Sequence, residues 1–244
     1  MAATRGATGA GAGFTGFTPA ALQFLADLAV NNDRAWFTPR KAEFERLLKV
    51  PMQALCAALA ESFLRHGVPL TADPARSPFR IHRDTRFSRD KSPYKLSHSA
   101  GFGWAGVAGA EGGRGAGDEG AGGGYFHLQP GEVYIGGGMW HPEPARLAAF
   151  RRLVDTDPDG VMAALEDPAF AGEYGAVTGD RLARVPRGYP RDHPRADLLR
   201  LKDVTFSRRL SDAEVFSPDL PETIAASLAM AGPVFALLSS LRTA

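Results

Sequence analysis

The feature that most restricts the fold is a predicted β-hairpin, because two alternating segments flank a Pro-Gly turn. It reads GYFHLQPGEVYIGGGMW over residues 124–140. With Pro and Gly at the centre of the turn, the register pairs Phe126 with Ile135 and His127 with Tyr134. One face of the hairpin is then apolar and the other carries tyrosine and histidine. We therefore expect an antiparallel sheet with one buried face and one polar face.

Helical signals lie on both sides of the hairpin. Thr-Pro pairs predict helix starts at residues 18–19 and 38–39, Pro51 is expected to end or kink the second helix, and a further apolar stripe covers residues 52–67. A last strand is predicted at residues 204–209, among further helices that start at prolines. Because strands and helices form separate runs, the sequence predicts an α+β fold, an antiparallel sheet flanked by helices.

Length and composition predict one domain. The chain has 244 residues, of which 44% are apolar, and this is enough for one large hydrophobic core. We expect residues 16–244 to form this domain, with a disordered Gly/Ala-rich tail at residues 1–15 and a flexible glycine-rich loop at residues 105–123.

Composition also disfavours several classes of protein. A net charge of +1 argues against a nucleic-acid binder that relies on global basicity, and one cysteine excludes an internal disulfide framework. No apolar run approaches the roughly 20 residues needed to span a membrane, and the N-terminus has no signal-peptide core. We therefore expect a cytoplasmic protein with no membrane partner. The sequence specifies neither a cofactor nor an oligomeric state.

The densest charge lies in residues 79–95, FRIHRDTRFSRDKSPYK. Period-two alternation predicts a strand over residues 79–87 and a second strand over residues 94–104. Arg83 then falls among the apolar positions of the first strand. A buried guanidinium must pair with a carboxylate or open onto a pocket, because an unpaired buried charge strongly destabilises the fold.

Four blocks of the sequence together resemble the family called domain of unknown function 2461. The blocks are NNDRAWF at residues 31–37, RDTRFSRDKSPYK at 83–95, the hairpin with the HPEP that follows it, and PRGYPRDHPRADLLRLKD at 186–203. The resemblance spans roughly residues 17–240. It implies a single domain found in bacterial and fungal proteins, and it does not specify whether the domain is catalytic. The glycine-rich insertion after Trp104 is a departure, since we expect family members to have a shorter connection there.

The charged segment contains enough cations for an anion site. Arginine offers a bidentate fork and lysine a point charge, a combination suited to phosphate or carboxylate. The candidates are Arg83, Arg86, Lys91 and Lys95, with Tyr94 as a hydroxyl donor. Alternatively, the arginines pair with Asp84 and Asp90 and only fix the turn between two strands.

His127 is the candidate general acid or base, together with Tyr94, because an imidazole titrates near neutral pH. In the alternative interpretation, His127 is hydrogen-bonded to a cross-strand tyrosine and takes no part in catalysis. The residues alone do not separate these two interpretations.

Asp192, His193 and Asp197 form a D-H-x-x-x-D cluster whose side chains are acceptable metal ligands. Asp192 can instead cap the helical turn that follows it and pair with Arg187 or Arg195. No second ligand motif accompanies the cluster, so we predict no metal site.

The leading functional hypothesis is a pocket on the polar face of the sheet that binds an anionic small molecule, such as a phosphate-bearing one. The candidate ligand-binding residues are Arg83, Asp84, Arg86, Asp90, Lys91, Lys95, Trp140, Arg187, Asp192 and His193. In the alternative, the same charged face and the aromatic residues Tyr125, Tyr134 and Trp140 bind a protein or RNA partner.

Overall fold

The fold is built on a five-stranded antiparallel sheet whose strands follow one another in chain order. The computed structural model describes residues 13–86, 88–105 and 122–241. The strands are β1 Leu70–Thr71, β2 His98–Trp104, β3 Gly123–Leu128, β4 Tyr134–Met139 and β5 Val204–Arg209. Helices pack against this sheet in one body, so the predicted α+β class is confirmed.

Helices lie before, between and after the strands. In the described part of the chain they are α1 Pro19–Val30, α2 Arg34–Phe37, α3 Lys41–Phe44, α4 Val50–His66, α5 Pro144–Thr156, α6 Pro158–Leu165, α7 Pro168–Tyr174, α8 Ala196–Leu199, α9 Asp212–Val215, α10 Leu220–Met230 and α11 Gly232–Ser239. A 3-10 turn, Thr38–Arg40, separates α2 from α3, and a π-helical turn, Glu45–Lys49, joins α3 to α4.

Proline sets several helix starts as predicted, and a glycine ends α4. The helices α1, α5, α6 and α7 each begin at a proline. The missing N–H costs no hydrogen bond there, because the first N–H groups of a helix have no partner within it. The helix α4 ends at Gly67, whose φ of 65° is a left-handed conformation that glycine adopts without strain.

Pro51 does not end its helix. The turn just before it, Glu45–Lys49, is π-helical, and this changes the hydrogen-bond ladder that a proline would otherwise interrupt. The helix predicted to start at Thr38 begins earlier, at Arg34. The Asp33 carboxylate caps this start by accepting a hydrogen bond from the backbone N–H of Trp36 at 2.8 Å.

Two groups of helices are apolar enough to cross a membrane by length and composition. The helical run Arg34–His66 contains a window of mean hydropathy 1.4, and α10 with α11 qualifies only as a pair bent by 65°. The expectation that no segment approaches this length is therefore wrong by this measure. Both groups bury apolar side chains such as Met52, Leu55 and Ile224 in the core, and this packing accounts for their composition.

The hairpin has the predicted register. Phe126 pairs with Ile135, and His127 pairs with Tyr134. Gly131 in the turn has a φ of 75°, which explains why glycine is required there. The last strand, β5, also has its predicted bounds.

The strand predicted at residues 79–87 is wrong. The described chain from Pro78 onward joins the residues before and within β2 through isolated bridges rather than a continuous ladder. The bridges pair Pro78 with Ala100 and His82 with Tyr94. Three residues lie between the two bridges on one side and five on the other, so residues 95–97 bulge and no regular ladder forms. The second strand consequently begins at His98 rather than at residue 94. Phe87 lies outside the described residues.

The two faces of the sheet differ in polarity, as the hairpin pattern predicts. The face under the helices is buried and apolar: Ala100, Phe102, Phe126, Leu128, Ile135, Met139 and Phe206. The opposite face carries Tyr125 and His127 from β3, Tyr134 from β4 and Arg209 from β5. This second face, termed the open face, holds the candidate site.

The predicted tail and glycine-rich loop lie largely outside the described residues, which exclude 1–12 and 106–121. Within the predicted tail, Phe14 packs edge-on against the buried ring of Phe17, with 5.5 Å between the ring centres. This part of the tail therefore contacts the core.

Candidate functional site

A cavity of about 670 Å³ lies on the open face, within the size range of small-ligand sites. This open-face cavity is lined by Phe79, Lys95, Gly123, Tyr125, Glu132, Tyr134, Gly136, Gly137, Gly138, Trp140, Thr205, Phe206, Ser207 and Arg209. Aromatic rings, cationic side chains and bare backbone therefore share one concave surface.

Three neighbouring strands bring these side chains together. Tyr134 on β4 lies opposite Arg209 on β5. Two residues further along, Gly136 lies between Tyr125 of β3 and Ser207 of β5. Because side chains two apart in a strand share a face, all of these residues lie on the same side of the sheet.

Backbone rather than side chains forms the floor of the cavity. A Cβ atom added to Gly136 would overlap the carbonyl oxygen of Phe206, and one added to Gly138 would overlap that of Val204. Gly138 also has a φ of 119°, which strains any residue with a side chain. These glycines keep the floor free of side chains and let a ligand approach the backbone.

The residues around the two isolated bridges before β2, 78–82 and 94–97, are termed the bridged segment and supply one wall of the cavity. The N–H of Phe79 donates to the carbonyl group of Ser99 at 2.9 Å, and the Phe79 ring centre lies 6.1 Å from that of Tyr125. The Lys95 ammonium lies 5.1 Å from the centre of the Phe79 ring, a cation–π contact. Burial, and then the positive charge of Arg80, lower the pKa of Lys95. No carboxylate among the described residues pairs with it.

Arg209 is the second cation of the cavity. Its Nη1 atom donates a hydrogen bond to the carbonyl group of Gly131 at 3.1 Å. In the described part of the chain it has no carboxylate partner, although Glu132 lines the same cavity. The described lining thus has two cations and one carboxylate, which is a local surplus of positive charge.

His127 lies beside the cavity and contacts two of its tyrosines. Its Nδ1 atom is 3.0 Å from the Tyr125 hydroxyl and 3.2 Å from the Ser99 hydroxyl, and its ring stacks on Tyr134 with 4.7 Å between centres. Burial lowers the pKa of His127 and raises those of both tyrosines. All three rings are therefore neutral at pH 7, and a neutral imidazole can accept a hydrogen bond from one of the hydroxyls. A catalytic role of His127 stays a prediction.

The family model described as conserved hypothetical protein DUF2461 matches residues 20–236, which is most of the chain. The chain belongs to the DUF2461 family. The resemblance drawn from the four sequence blocks is therefore confirmed. Comparisons with curated proteins and with solved structures find no match.

In this DUF2461 domain, two of the predicted ligand-binding residues, Lys95 and Trp140, line the open-face cavity. Tyr94 lies elsewhere. Its ring is buried against Phe37, with 4.1 Å between ring centres, and its backbone exchanges hydrogen bonds with the Asn32 side chain at 2.9 and 3.0 Å. Tyr94 thus packs in the core and holds the bridged segment against the helices. Its catalytic role stays a prediction.

The other predicted cations have partners outside the cavity lining. The pairs are Arg83 with Asp90, Arg86 with Asp84 at 2.6 Å, and Lys91 with the Thr85 carbonyl group at 2.8 Å. Hydrogen bonds from Arg86 lower the pKa of Asp84 to about 2. Those from Ser92 and then Arg83 lower the pKa of Asp90. These pairs agree with the alternative interpretation, in which the charged residues fix the turn. The part of Arg83, Arg86 and Lys91 in ligand binding stays a prediction.

The loop that contains Arg187, Asp192 and His193 is also outside the lining. His193 accepts a hydrogen bond from the backbone N–H of Arg195 at 3.0 Å, and its Nε2 atom lies 3.4 Å from Asp155. The predicted capping role of Asp192 is wrong, since α8 begins after Arg195 and has no side-chain cap. Across the described ranges, no three His, Cys, Asp or Glu side chains are placed to hold a metal ion.

Sequence reasoning missed Arg209, Ser207 and Phe79. A signal for the first two was available, because the predicted strand at 204–209 places them on the face opposite the apolar Phe206. Phe79 had no such signal. Its position over Tyr125 depends on the bulge at residues 95–97, which alternation does not reveal.

Proposed function

We propose that this DUF2461 domain binds an anionic small molecule in the open-face cavity, with Lys95 and Arg209 holding the anion. Lys95 carries the proposal. Its ammonium group is half-buried on the wall of a ligand-sized cavity, and within the described residues it rests on an aromatic ring without a carboxylate partner.

The free-energy cost of partly burying the Lys95 ammonium supports the presence of a ligand. Partial burial removes water from the ammonium, and the pKa of Lys95 falls for that reason first. Its cation–π contact with Phe79 contributes only about 0.5–2 kcal/mol. A bound anion would supply the missing opposite charge, and its attraction to Lys95 would be stronger here than in open water.

Arg209 adds a donor of different geometry. A guanidinium offers paired N–H groups that suit phosphate or carboxylate, whereas an ammonium acts as a point charge. The concave shape also favours a small molecule over a protein or RNA partner, which would need a broad accessible face.

A thermal-shift comparison tests the proposal. The wild-type protein is heated with inorganic phosphate, ribose 5-phosphate, adenosine 5′-monophosphate (AMP) or benzoate, because a ligand that binds only the native state raises Tm. The test variant is Lys95→Met. The matched control is Lys91→Met, which removes an ammonium that donates to a carbonyl group outside the cavity. Ser207→Trp fills the cavity without removing a charge.

We expect at least one anion to raise the Tm of the wild type and of Lys91→Met. The Lys95→Met and Ser207→Trp variants should need at least about tenfold more of the same anion for an equal shift. The proposal fails if no anion shifts the wild type, or if Lys91→Met weakens binding as much as Lys95→Met does.

A further inference from the structure

Trp140 is a large aromatic residue that the fold leaves exposed. Its side chain follows β4 directly, lines the open-face cavity and is 52% accessible to solvent. A tryptophan gains more from burial than most residues because of its large apolar area. A half-exposed indole at the edge of a cavity therefore leaves apolar surface that a ligand can cover.

A strained neighbour holds this indole in place. The His141 ring stacks on Trp140, with 4.0 Å between ring centres and 15° between their planes. Among the described residues, His141 alone has a positive φ without being glycine, at 47°. Its backbone N–H donates to the buried carboxylate of Asp203 at 2.6 Å. The imidazole thus covers one face of the indole, and the remaining face and edge are left for the cavity.

The surroundings of Trp140 suit an aromatic ring better than a sugar. Gly138 offers only backbone, and the hydroxyl of Thr205 already donates to the carbonyl group of Thr178 at 3.2 Å. The Thr205 oxygen can still accept a hydrogen bond, but its one donor is used, so sugar hydroxyls placed here would find few partners to replace the water they lose. A flat apolar ring carries no such penalty.

The two cations of the lining lie at different distances from Trp140. Arg209 pairs with Tyr134, which precedes Trp140 by six residues on the same chain, or about 20 Å of strand. The Arg209 side chain does not shorten this gap, because its guanidinium donates to Gly131, which is further from Trp140 than Tyr134 is. Lys95 is the nearer cation. It rests on Phe79, whose ring packs on Tyr125, and the strand partner of Tyr125 precedes Trp140 by four residues, or about 13 Å of strand. One molecule with a ring on Trp140 can therefore place an anionic group against Lys95.

We infer that the ligand of the open-face cavity is an aromatic anion whose planar ring stacks on Trp140 while its anionic group contacts Lys95, the cation nearer to the indole. This inference rests on the proposed function and adds the class of ligand. A nucleoside monophosphate is a probe of suitable design, because its base and its phosphate can be removed one at a time.

The experiment compares AMP, ribose 5-phosphate and adenosine by isothermal titration calorimetry. We expect wild-type protein to bind AMP at least about tenfold more tightly than ribose 5-phosphate or adenosine, since stacking of one base contributes measurably to affinity. Trp140→Ala should bind AMP only as tightly as ribose 5-phosphate, while its affinity for ribose 5-phosphate stays unchanged and shows that the variant is folded. Trp140→Phe should restore part of the preference.

The outcomes separate this inference from the proposed function. If the wild type binds ribose 5-phosphate as tightly as AMP, or if Trp140→Ala keeps the preference for AMP, the stacking role is wrong and anion binding stands. If none of the three molecules binds, the stacking role is wrong, and the phosphate and benzoate arms of the thermal-shift comparison decide the proposed function separately. If Lys95→Met binds AMP as well as the wild type does, both are wrong.

Discussion

Arg208 and Arg209 are neighbours at the end of β5, yet their side chains lie on opposite faces of the sheet and have different kinds of partner. Arg208 lies under the helices, where it contacts the carboxylates of Glu173 at 2.6 Å and Glu214 at 2.8 Å. Arg209 lies on the open face and donates only to the carbonyl group of Gly131 among the described residues. The first arginine therefore belongs to the fold and the second to the proposed site.

Replacing Arg208 with Gln should lower the free energy of unfolding by about 2 kcal/mol or more, because Glu173 and Glu214 would remain partly buried without their cation. Arg209→Gln is the matched control and should change it by less than about 0.5 kcal/mol. Urea denaturation monitored by circular dichroism measures both values. Equal losses in the two variants would contradict the division between the faces.

His98 should make the fold sensitive to mild acid. Its side chain is 3% exposed, neither ring nitrogen has a hydrogen-bond partner in the described structure, and burial followed by the charge of Lys95 lowers its pKa from 6.5 to about 4. The unfolded chain therefore binds a proton at this site more readily than the folded chain. Stability should be complete above pH 6.5 and should fall by roughly 3 kcal/mol as the pH drops to 4.

The His98→Leu variant tests this prediction, since leucine removes the titrating group and keeps an apolar side chain in the core. Because burial also lowers the pKa of His127, the titration of His98 is read from the difference in stability between the wild type and His98→Leu. Denaturant midpoints between pH 7 and pH 4 should fall less steeply in the variant. Parallel curves would show that His98 does not titrate as described.

The ion pair of Arg86 with Asp84 should affect the pKa of Asp84 but not ligand binding in the open-face cavity. Hydrogen bonds from Arg86 lower the pKa of Asp84 from 3.8 to about 2. The stabilising effect of the pair is thus present above pH 3.8 and is lost as the pH falls toward 2. In Arg86→Ala, carbon-13 NMR titration should find the pKa of Asp84 back near its ordinary value, with ligand binding unchanged. A loss of anion binding in this variant would restore Arg86 to the site.

Two glycines with positive φ should respond differently to alanine. Gly131 and Gly138 have φ angles of 75° and 119°, but only Gly138 would place a Cβ atom against a neighbouring strand. Gly131→Ala should cost about 1 kcal/mol from backbone strain, and Gly138→Ala should cost at least about 2 kcal/mol, with weaker ligand binding. Thermal unfolding measures the stability lost in each variant. Similar losses would contradict the view that close approach of the neighbouring strand at Gly138 requires glycine in the cavity floor.

Local patterns sufficed for the elements that depend on neighbouring residues. The hairpin register followed from its turn, the helix starts followed from prolines, and β5 followed from its alternation. The bridged segment did not, because its course depends on a bulge and on contacts such as that of Tyr94 with Phe37, far apart in sequence.

The same limit applies to the candidate site. Lys95 and Trp140 were among the predicted ligand-binding residues, but Arg83 and Arg86 were equally cationic in sequence. Only the folded chain shows that these two arginines have carboxylate partners at hand while Lys95 rests against Phe79. Spacing in the sequence cannot reveal which charges are neutralised by neighbours.

The most direct test of anion binding at the open-face cavity is the pKa of Lys95 itself, followed by NMR of carbon-13-labelled lysine with and without saturating AMP. We predict a pKa below the ordinary lysine value in the free protein, because the ammonium is partly buried, and a clear rise on adding AMP, because the bound anion stabilises the charged form. A Lys95 pKa that starts at its ordinary value and does not move when AMP is added would contradict the account.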